Sequence, residues 1–494
     1  MSNPLKKLAG QTAVYGLSSI VGRLLNYLLV PLYVSVFIKT SDYGVISELY
    51  AWIAFLMVLL TFGMETAFFK FLSDDPENKD KIFRNSMLSI VIINAIFLLL
   101  ILIFNGTIAD ALLFPDNPEY IILLSVVVVI DATSALPLAK LRAEDRAKKF
   151  VVVQLTGIAI NIGLNLILML FIFQPETENA AVGIRFILIA NLIASLVKPV
   201  ILYKDFISLK WIWDTQLLRS MFKYSFPLAL AGFAFIINET VDRILLKHLT
   251  YQNSIGELTT EAALTFAESQ VGIYSASYKL AMLVTIFLQA YRYAAEPFFF
   301  AQSKSKDRNK TYVKVMNYFV GAVFLSFLGV SLNLDVFKYF IPNPAYWEGL
   351  RIVPILLLAN VFSGIYINQS IWYKLSGQTK FGAYIAMGGA ALTLTLNFIF
   401  IPIYGYMACA WATFIVYGAQ MVVSYWLGQK HYPIPYNLRK FGLYSFIAIA
   451  IYVVFTWIDL EAGILQFIIH NIFILLYVGL VFWMEKPKAV AKSS

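Results

Sequence analysis

The sequence predicts an all-α polytopic membrane protein of about fourteen transmembrane helices, and three observations carry that prediction. Of its 494 residues 60% are hydrophobic and only 14% charged, with a mean hydropathy of +0.73; soluble domains are roughly 45–50% apolar. Apolar runs of roughly 20 residues recur from end to end, the length a helix needs to cross a hydrocarbon core of about 30 Å. Lysine and arginine crowd into every second connection between those runs. A membrane barrel would show strands of about 9–11 residues with alternating polarity instead.

Taken in order, windows of about 19 residues that stop at proline, glycine and charge clusters give spans at 12–37, 44–71, 82–104, 119–140, 150–173, 183–203, 222–247, 270–300, 312–333, 348–374, 381–403, 407–428, 440–458 and 463–484. Met1 to Lys7 is short and basic and leads into a full-length span without a small-residue cleavage site, so an uncleaved first helix is expected. Spans two and eight exceed the core thickness, which predicts tilt or protrusion.

The connections that begin with the N-terminus carry Lys6/Lys7, Lys79/Lys81/Arg84, Lys140 to Lys149, Lys204 to Lys223, Lys304 to Lys314, Lys374/Lys380, Lys430 to Lys440 and Lys486 to Lys492. The opposite set offers only Lys39, Lys247 and Lys338. Positive-inside bias therefore predicts cytoplasmic termini and an even number of spans. The net charge of +9 is a topology signal and calls for no nucleic acid. Cys409 is the single cysteine, and His248, His431 and His470 lie far apart, so neither a disulfide framework nor a metal site is expected.

An internal repeat sets the domain plan. Tyr43-Gly44-Val45-Ile46-Ser47 entering span two resembles Val271-Gly272-Ile273-Tyr274-Ser275 entering span eight, at an offset of 228 residues. Both segments run through a long apolar stretch into phenylalanine-rich ends, Ala67 to Phe71 and Pro297 to Phe300. Six helices per repeat keep the two copies in the same orientation, as in transporters whose halves are related by an axis along the membrane normal. The expected parts are a six-helix lobe over 1–203, an interfacial amphipathic linker over 204–221 with Trp211 and Trp213, a second six-helix lobe over 222–428, and two further helices with a tail over 429–494.

Gly22-Arg23 in span one, Tyr43-Gly44, Val241-Asp242-Arg243-Ile244 in span seven, Gly272-Ile-Tyr-Ser-Ala-Ser-Tyr-Lys279 and Glu296-Pro-Phe in span eight together resemble the polysaccharide transport family. That family belongs to the multidrug/oligosaccharidyl-lipid/polysaccharide exporter superfamily and includes the O-antigen and capsule repeat-unit flippases. The resemblance covers essentially the whole chain. It implies two six-helix lobes around a cationic cavity, and a flippase that carries an undecaprenyl-diphosphate-linked oligosaccharide from the cytoplasmic to the outer leaflet of the bacterial plasma membrane. Membrane lipids are the further partners it implies, with polysaccharide polymerase machinery as a candidate neighbour. A peptidoglycan-precursor (lipid II) flippase and a cation-coupled drug antiporter of the same superfamily are the alternatives. An enzyme is not expected, because the short loops hold no paired acids or metal motif.

Charges at bilayer depth cost at least roughly 2.5–3.5 kcal/mol each, so they face a partner or a watery cavity. For a diphosphate cargo the cavity candidates are Arg23, Arg243, Lys279 and Arg292, with arginine offering a planar fork and lysine a point charge. Arg185, Lys198 and Arg351, near helix ends, are expected to snorkel. Glu65, Asp131, Glu239, Asp242 and Glu296 are the coupling or charge-pairing acids, whether for Na+, H+ or a neighbouring cation; no other cofactor is expected. Adjacent side chains diverge by about 100° on a helix, so Asp242 and Arg243 are expected to make separate contacts, with Glu239 one turn before Arg243 as a pairing candidate. Pro31, Pro137, Pro199, Pro227, Pro297, Pro354, Gly232, Gly364, Gly388 and Gly389 are hinge candidates.

Overall fold

In lipid every backbone polar group must be satisfied within the segment, and a helix does this for an apolar run of any composition. The computed structural model describes residues 21–22, 24–207, 213–303, 305–458 and 463–486, and none of these lies in a strand. The principal helices are α1 (Leu29–Val36), α2 (Thr40–Thr61), α3 (Met64–Asp74), α4 (Lys79–Ala111), α5 (Glu119–Ala143), α6 (Ala147–Ile167) and α7 (Ala180–Ile201). They continue with α8 (Thr215–Ser254), α9 (Thr260–Gln302), α10 (Arg308–Ser331), α11 (Val353–Gln369), α12 (Lys380–Tyr404), α13 (Tyr406–His431), α14 (Leu438–Trp457) and α15 (Ile464–Glu485). Thirteen helices among the described residues are long and apolar enough to cross a membrane. Residues 12–20 and 23 of the first predicted span lie outside the described residues, and the span continues in them as the apolar helix Leu24–Val36. Large apolar side chains stand exposed along these helices, among them Leu99, Ile103, Phe171, Leu465 and Leu475. In a chain with thirteen helices of membrane-spanning length, such faces suit a lipid solvent.

Several span limits differ from the sequence expectation. Helix α8 begins at Thr215 instead of 222 and runs 40 residues; α9 begins at Thr260 instead of 270 and runs 43. Each is therefore roughly 60 Å long, about twice the hydrocarbon thickness. Hydropathy windows end a span where polar residues begin, whereas the backbone hydrogen bonds continue through them. Residues 208–212 of the expected linker lie outside the described residues; what precedes them is the short helix Tyr203–Ile207.

The breaks fall elsewhere than at the prolines. Pro137, Pro199, Pro227 and Pro297 sit inside unbroken helices, and Pro354 occupies the first turn of α11, where its missing N–H is no loss. Predicted span two is instead divided at Phe62 (φ 47°) and Gly63 (φ 65°), both left-handed. Phe62 packs on the rings of Phe222 and Phe226 in α8, which hold a conformation that a bulky residue rarely adopts. Further irregularities are a kink at Phe104 in α4 and a π-turn over Leu168–Ile172 after α6.

The chain divides into two compact units, Met1–Ser275 with Thr393–Tyr406, and Ala276–Leu392 with Met407–Ser494. In the first, α2 packs on α8, α4 on α5, and α7 on α5 and α6. Its phenylalanine-rich turn is a core: Phe68 and Met64 are buried with Phe83, Met87, Leu136 and Met221. Asp214 caps α8 by accepting from the Leu217 N–H at 2.9 Å. The same carboxylate pairs with Lys81 of α4 at 2.6 Å. In the second unit α14 and α15 both lie on α10. They are tied together by Glu485, which accepts from Lys440 and from the Tyr444 hydroxyl, each at 2.7 Å.

Candidate functional site

The repeat motif places two glycines against each other. A Cβ on Gly44 would stand 1.9 Å from the Glu268 carbonyl oxygen, and a Cβ on Gly272 would stand 1.9 Å from the Thr40 carbonyl oxygen. Helices α2 and α9 therefore touch backbone to backbone, a distance that only glycine on both sides permits. No side chain fits there, and the polar groups that flank the contact set its chemistry.

One turn beyond Gly44 stands Glu48, and Glu268 lies one turn before Gly272. Both reach Lys247 of α8: its Nζ is 3.0 Å from Glu48 Oε2 and 3.4 Å from Glu268 Oε1. Lys247 and Glu48 are completely buried. The ammonium also meets the carbonyl oxygens of Leu112 and Leu113 at 3.2 and 3.4 Å. The Phe114 ring centroid lies 3.5 Å from it.

A second group lies one helical turn earlier on α8. The Tyr274 hydroxyl donates to Asp242, the Arg243 Nη1 donates to Asp242 Oδ1 at 2.9 Å and to the Glu239 carbonyl at 2.8 Å, and the guanidinium lies 5.5 Å from the Tyr274 ring centroid. This corrects the expectation of separate contacts. The long arginine side chain curls back to its neighbour, and both residues meet one tyrosine. Arg243 is thus a buried, paired charge.

The remaining predicted charges distribute as follows. Glu65 pairs with Arg142 at 2.6 Å, and Asp131 with Lys198 at 2.6 Å. Lys198 and Arg185, expected to snorkel, are ion-paired instead, Arg185 with Glu119 at 2.7 Å. In the second unit Glu296 accepts Lys374 at 3.0 Å and stands 3.7 Å from Arg292, whose side chain is 58% exposed. Lys279 is half-buried on α9. Arg23 lies outside the described residues. No group of three histidine, cysteine, aspartate or glutamate side chains is placed to hold a metal among the described residues.

The sequence by itself does not mark Lys247, Glu48 and Glu268 as site residues. Lys247 counts there as an outer-loop charge and Glu268 falls in an expected loop. The available signal was spacing: each repeat glycine has a glutamate one turn away, and Lys247 follows Arg243 by one turn.

Residues 8–302, more than half of the chain, match the family model of polysaccharide biosynthesis proteins. The chain belongs to that family. The match ends with the last turn of α9 and so includes every member of both buried groups. Among solved structures, the lipid II flippase MurJ in an inward closed conformation aligns with a TM-score of 0.72 at 15% identity, over 95% of this chain and 98% of that one. A multidrug resistance MATE family transporter of the MOP superfamily in an inward-facing conformation aligns at 0.63 and 14% identity, over 83% and 94%. The outward-facing conformation of such a transporter aligns at 0.56 and 12%, over 85% and 95%. The fold is that of this exporter superfamily. No curated protein sequence matches the chain.

Proposed function

We propose that this protein is a flippase for an undecaprenyl-diphosphate-linked oligosaccharide, such as an O-antigen, capsule or exopolysaccharide repeat unit. It moves that cargo from the cytoplasmic to the outer leaflet of the bacterial plasma membrane by alternating access. The family match carries this reading. The cationic candidates support it: two phosphate charges cannot cross a low-dielectric region without counter-charges, and Arg292 is largely exposed with its nearest carboxylate already held by Lys374. In this proposal two six-helix lobes, 1–203 and 222–428, move against each other, both termini are cytoplasmic, and Arg23, Lys279 and Arg292 escort the diphosphate.

A lipid II cargo shares the diphosphate and differs in its sugar-peptide head. The deciding experiment is depletion of the protein, followed by identification of the lipid-linked species that accumulates on the cytoplasmic leaflet. An undecaprenyl-diphosphate oligosaccharide supports the proposal; lipid II, or no lipid-linked sugar at all, overturns it.

A further inference from the structure

The Lys247 ammonium has more partners than protons. Four oxygens and one aromatic face surround it, and an ammonium offers three N–H donors. Its charge is also outnumbered, because one lysine stands between two carboxylates. Lys247 and Glu48 are wholly buried, and the Glu268 side chain is 14% exposed. A net negative charge held there without a counter-ion is expensive, and such a site takes up a proton instead. One proton on either carboxyl corrects both counts. It cancels the surplus charge and turns one acceptor into a donor.

Among the described residues, the neighbouring cations Arg243, Arg185 and Lys39 already stand against other carboxylates. Arg243 on α8 is engaged by Asp242. Arg185 on α7 is engaged by Glu119 of α5. On α2, Asp42 adds a further carboxylate at the same end of the helix, near Lys39 at its start. His248 follows Lys247, with its ring nitrogens 3.0 and 3.2 Å from the carbonyl oxygens of Ile244 and Ala111. From α5, Tyr120 hydrogen-bonds to the Ala181 carbonyl.

The same residues build the helix crossing. The Glu268 carbonyl is the surface on which Gly44 rests, while the Glu268 side chain reaches Lys247; Glu48 reaches the same ammonium from α2. Parting α2 from α9 would therefore also part the two carboxyls and let water reach them. We propose that Glu48, Glu268 and Lys247 form a proton-binding site, in which one proton on either carboxyl is held while Gly44 and Gly272 are in contact and is released when they separate. The site makes opening of this crossing favourable at high pH and unfavourable at low pH. The inference concerns the protein without cargo, so it stands or falls separately from the identity of the transported lipid.

The test uses purified full-length protein in lipid nanodiscs, with thermal unfolding followed from pH 5 to pH 9. Wild type is expected to lose several degrees of Tm as pH rises. Glu268→Gln or Glu48→Gln, each a neutral copy of the protonated carboxyl, is expected to keep a high Tm and a flat profile. A fixed ion triad predicts the opposite: both variants less stable than wild type at every pH with the wild-type slope unchanged, and that result overturns the proposal. So does a slope that survives both glutamine variants and disappears in His248→Gln, or a stabilisation by Na+ that is lost in Glu268→Gln. As a second readout, spin labels at Ile38→Cys and Phe266→Cys in a Cys409→Ser background report the crossing directly. Their distance should lengthen with rising pH in the otherwise native chain and stay short in the Glu268→Gln chain; a distance indifferent to pH in both refutes the link to opening.

Discussion

Gly44 and Gly272 lie against each other as equivalents: each would drive a Cβ to 1.9 Å from a backbone carbonyl belonging to the residue four positions before the other. The two glycines are separated in sequence by the repeat offset, and so are the two residues whose carbonyls face them, Thr40 and Glu268. The contact is thus self-symmetric, with each copy of the motif presenting the same glycine face and the same preceding carbonyl. Close backbone approach of this kind gains dispersion and Cα–H···O contacts that a side chain would abolish.

Gly44→Ala and Gly272→Ala are therefore expected to be comparably damaging. Either methyl must push the facing helix back by about 1 Å, a cost on the order of 1–3 kcal/mol for an overpacked contact. Thermal unfolding of the detergent-purified variants measures this, and an alanine tolerated at one position with wild-type Tm would show that the helices slide past the clash.

Tyr274→Phe removes the hydroxyl that Asp242 accepts and leaves a buried carboxylate short of one partner. The expected loss is about 1–3 kcal/mol of stability with normal membrane insertion. Unchanged unfolding would mean that water replaces the hydroxyl.

Under the proposed function, Arg23→Ala, Lys279→Ala and Arg292→Ala each accumulate normally and lose most transport, scored by restoration of surface polysaccharide in a depleted strain. Arg292→Lys should keep part of it, since charge survives and the bidentate fork does not. Wild-type transport by all three alanine variants would make these cations structural.

The Asp214 carboxyl lies outside the membrane spans and is held below the usual carboxylate range, first by the Leu217 N–H and then by Lys81. A depressed value contributes stability that is present above the unfolded pKa of about 3.9 and lost as pH falls through the lower folded value. Asp214→Asn keeps the cap and loses the charge, so its Tm should fall below that of wild type at neutral pH, with the gap closing below about pH 4. A gap independent of pH would assign the effect to the cap alone.

Orientation is checked by reporter fusions. Fusions after Lys79, Lys148, Lys306 and Lys430 should score cytoplasmic, and those near Asn117, Glu178 and Asn253 outside. A scrambled pattern would remove the basis for the six-plus-six lobes.

Much of this protein is determined by sequence alone, because the bilayer imposes one constraint on every segment. Apolar length gives the helices, and the repeat around Gly44 and Gly272 marks the two residues that meet. Helix ends were less legible: polar residues such as Glu261 and Glu268 close a hydropathy window, yet the backbone of α9 runs on through them. Arg292 and Glu296 pair at the i,i+4 spacing a helix dictates, but the long-range charge partners are not legible in the sequence. Arg142 found Glu65, Lys198 found Asp131, and Lys247 found Glu48 and Glu268, each across a wide gap in sequence. A charge at depth takes whichever opposite charge the packing brings within about 3–4 Å, and the attraction weakens as the separation grows. Linear spacing does not encode that distance; only the tertiary structure decides it, and with it which of the deep charges are spent on one another.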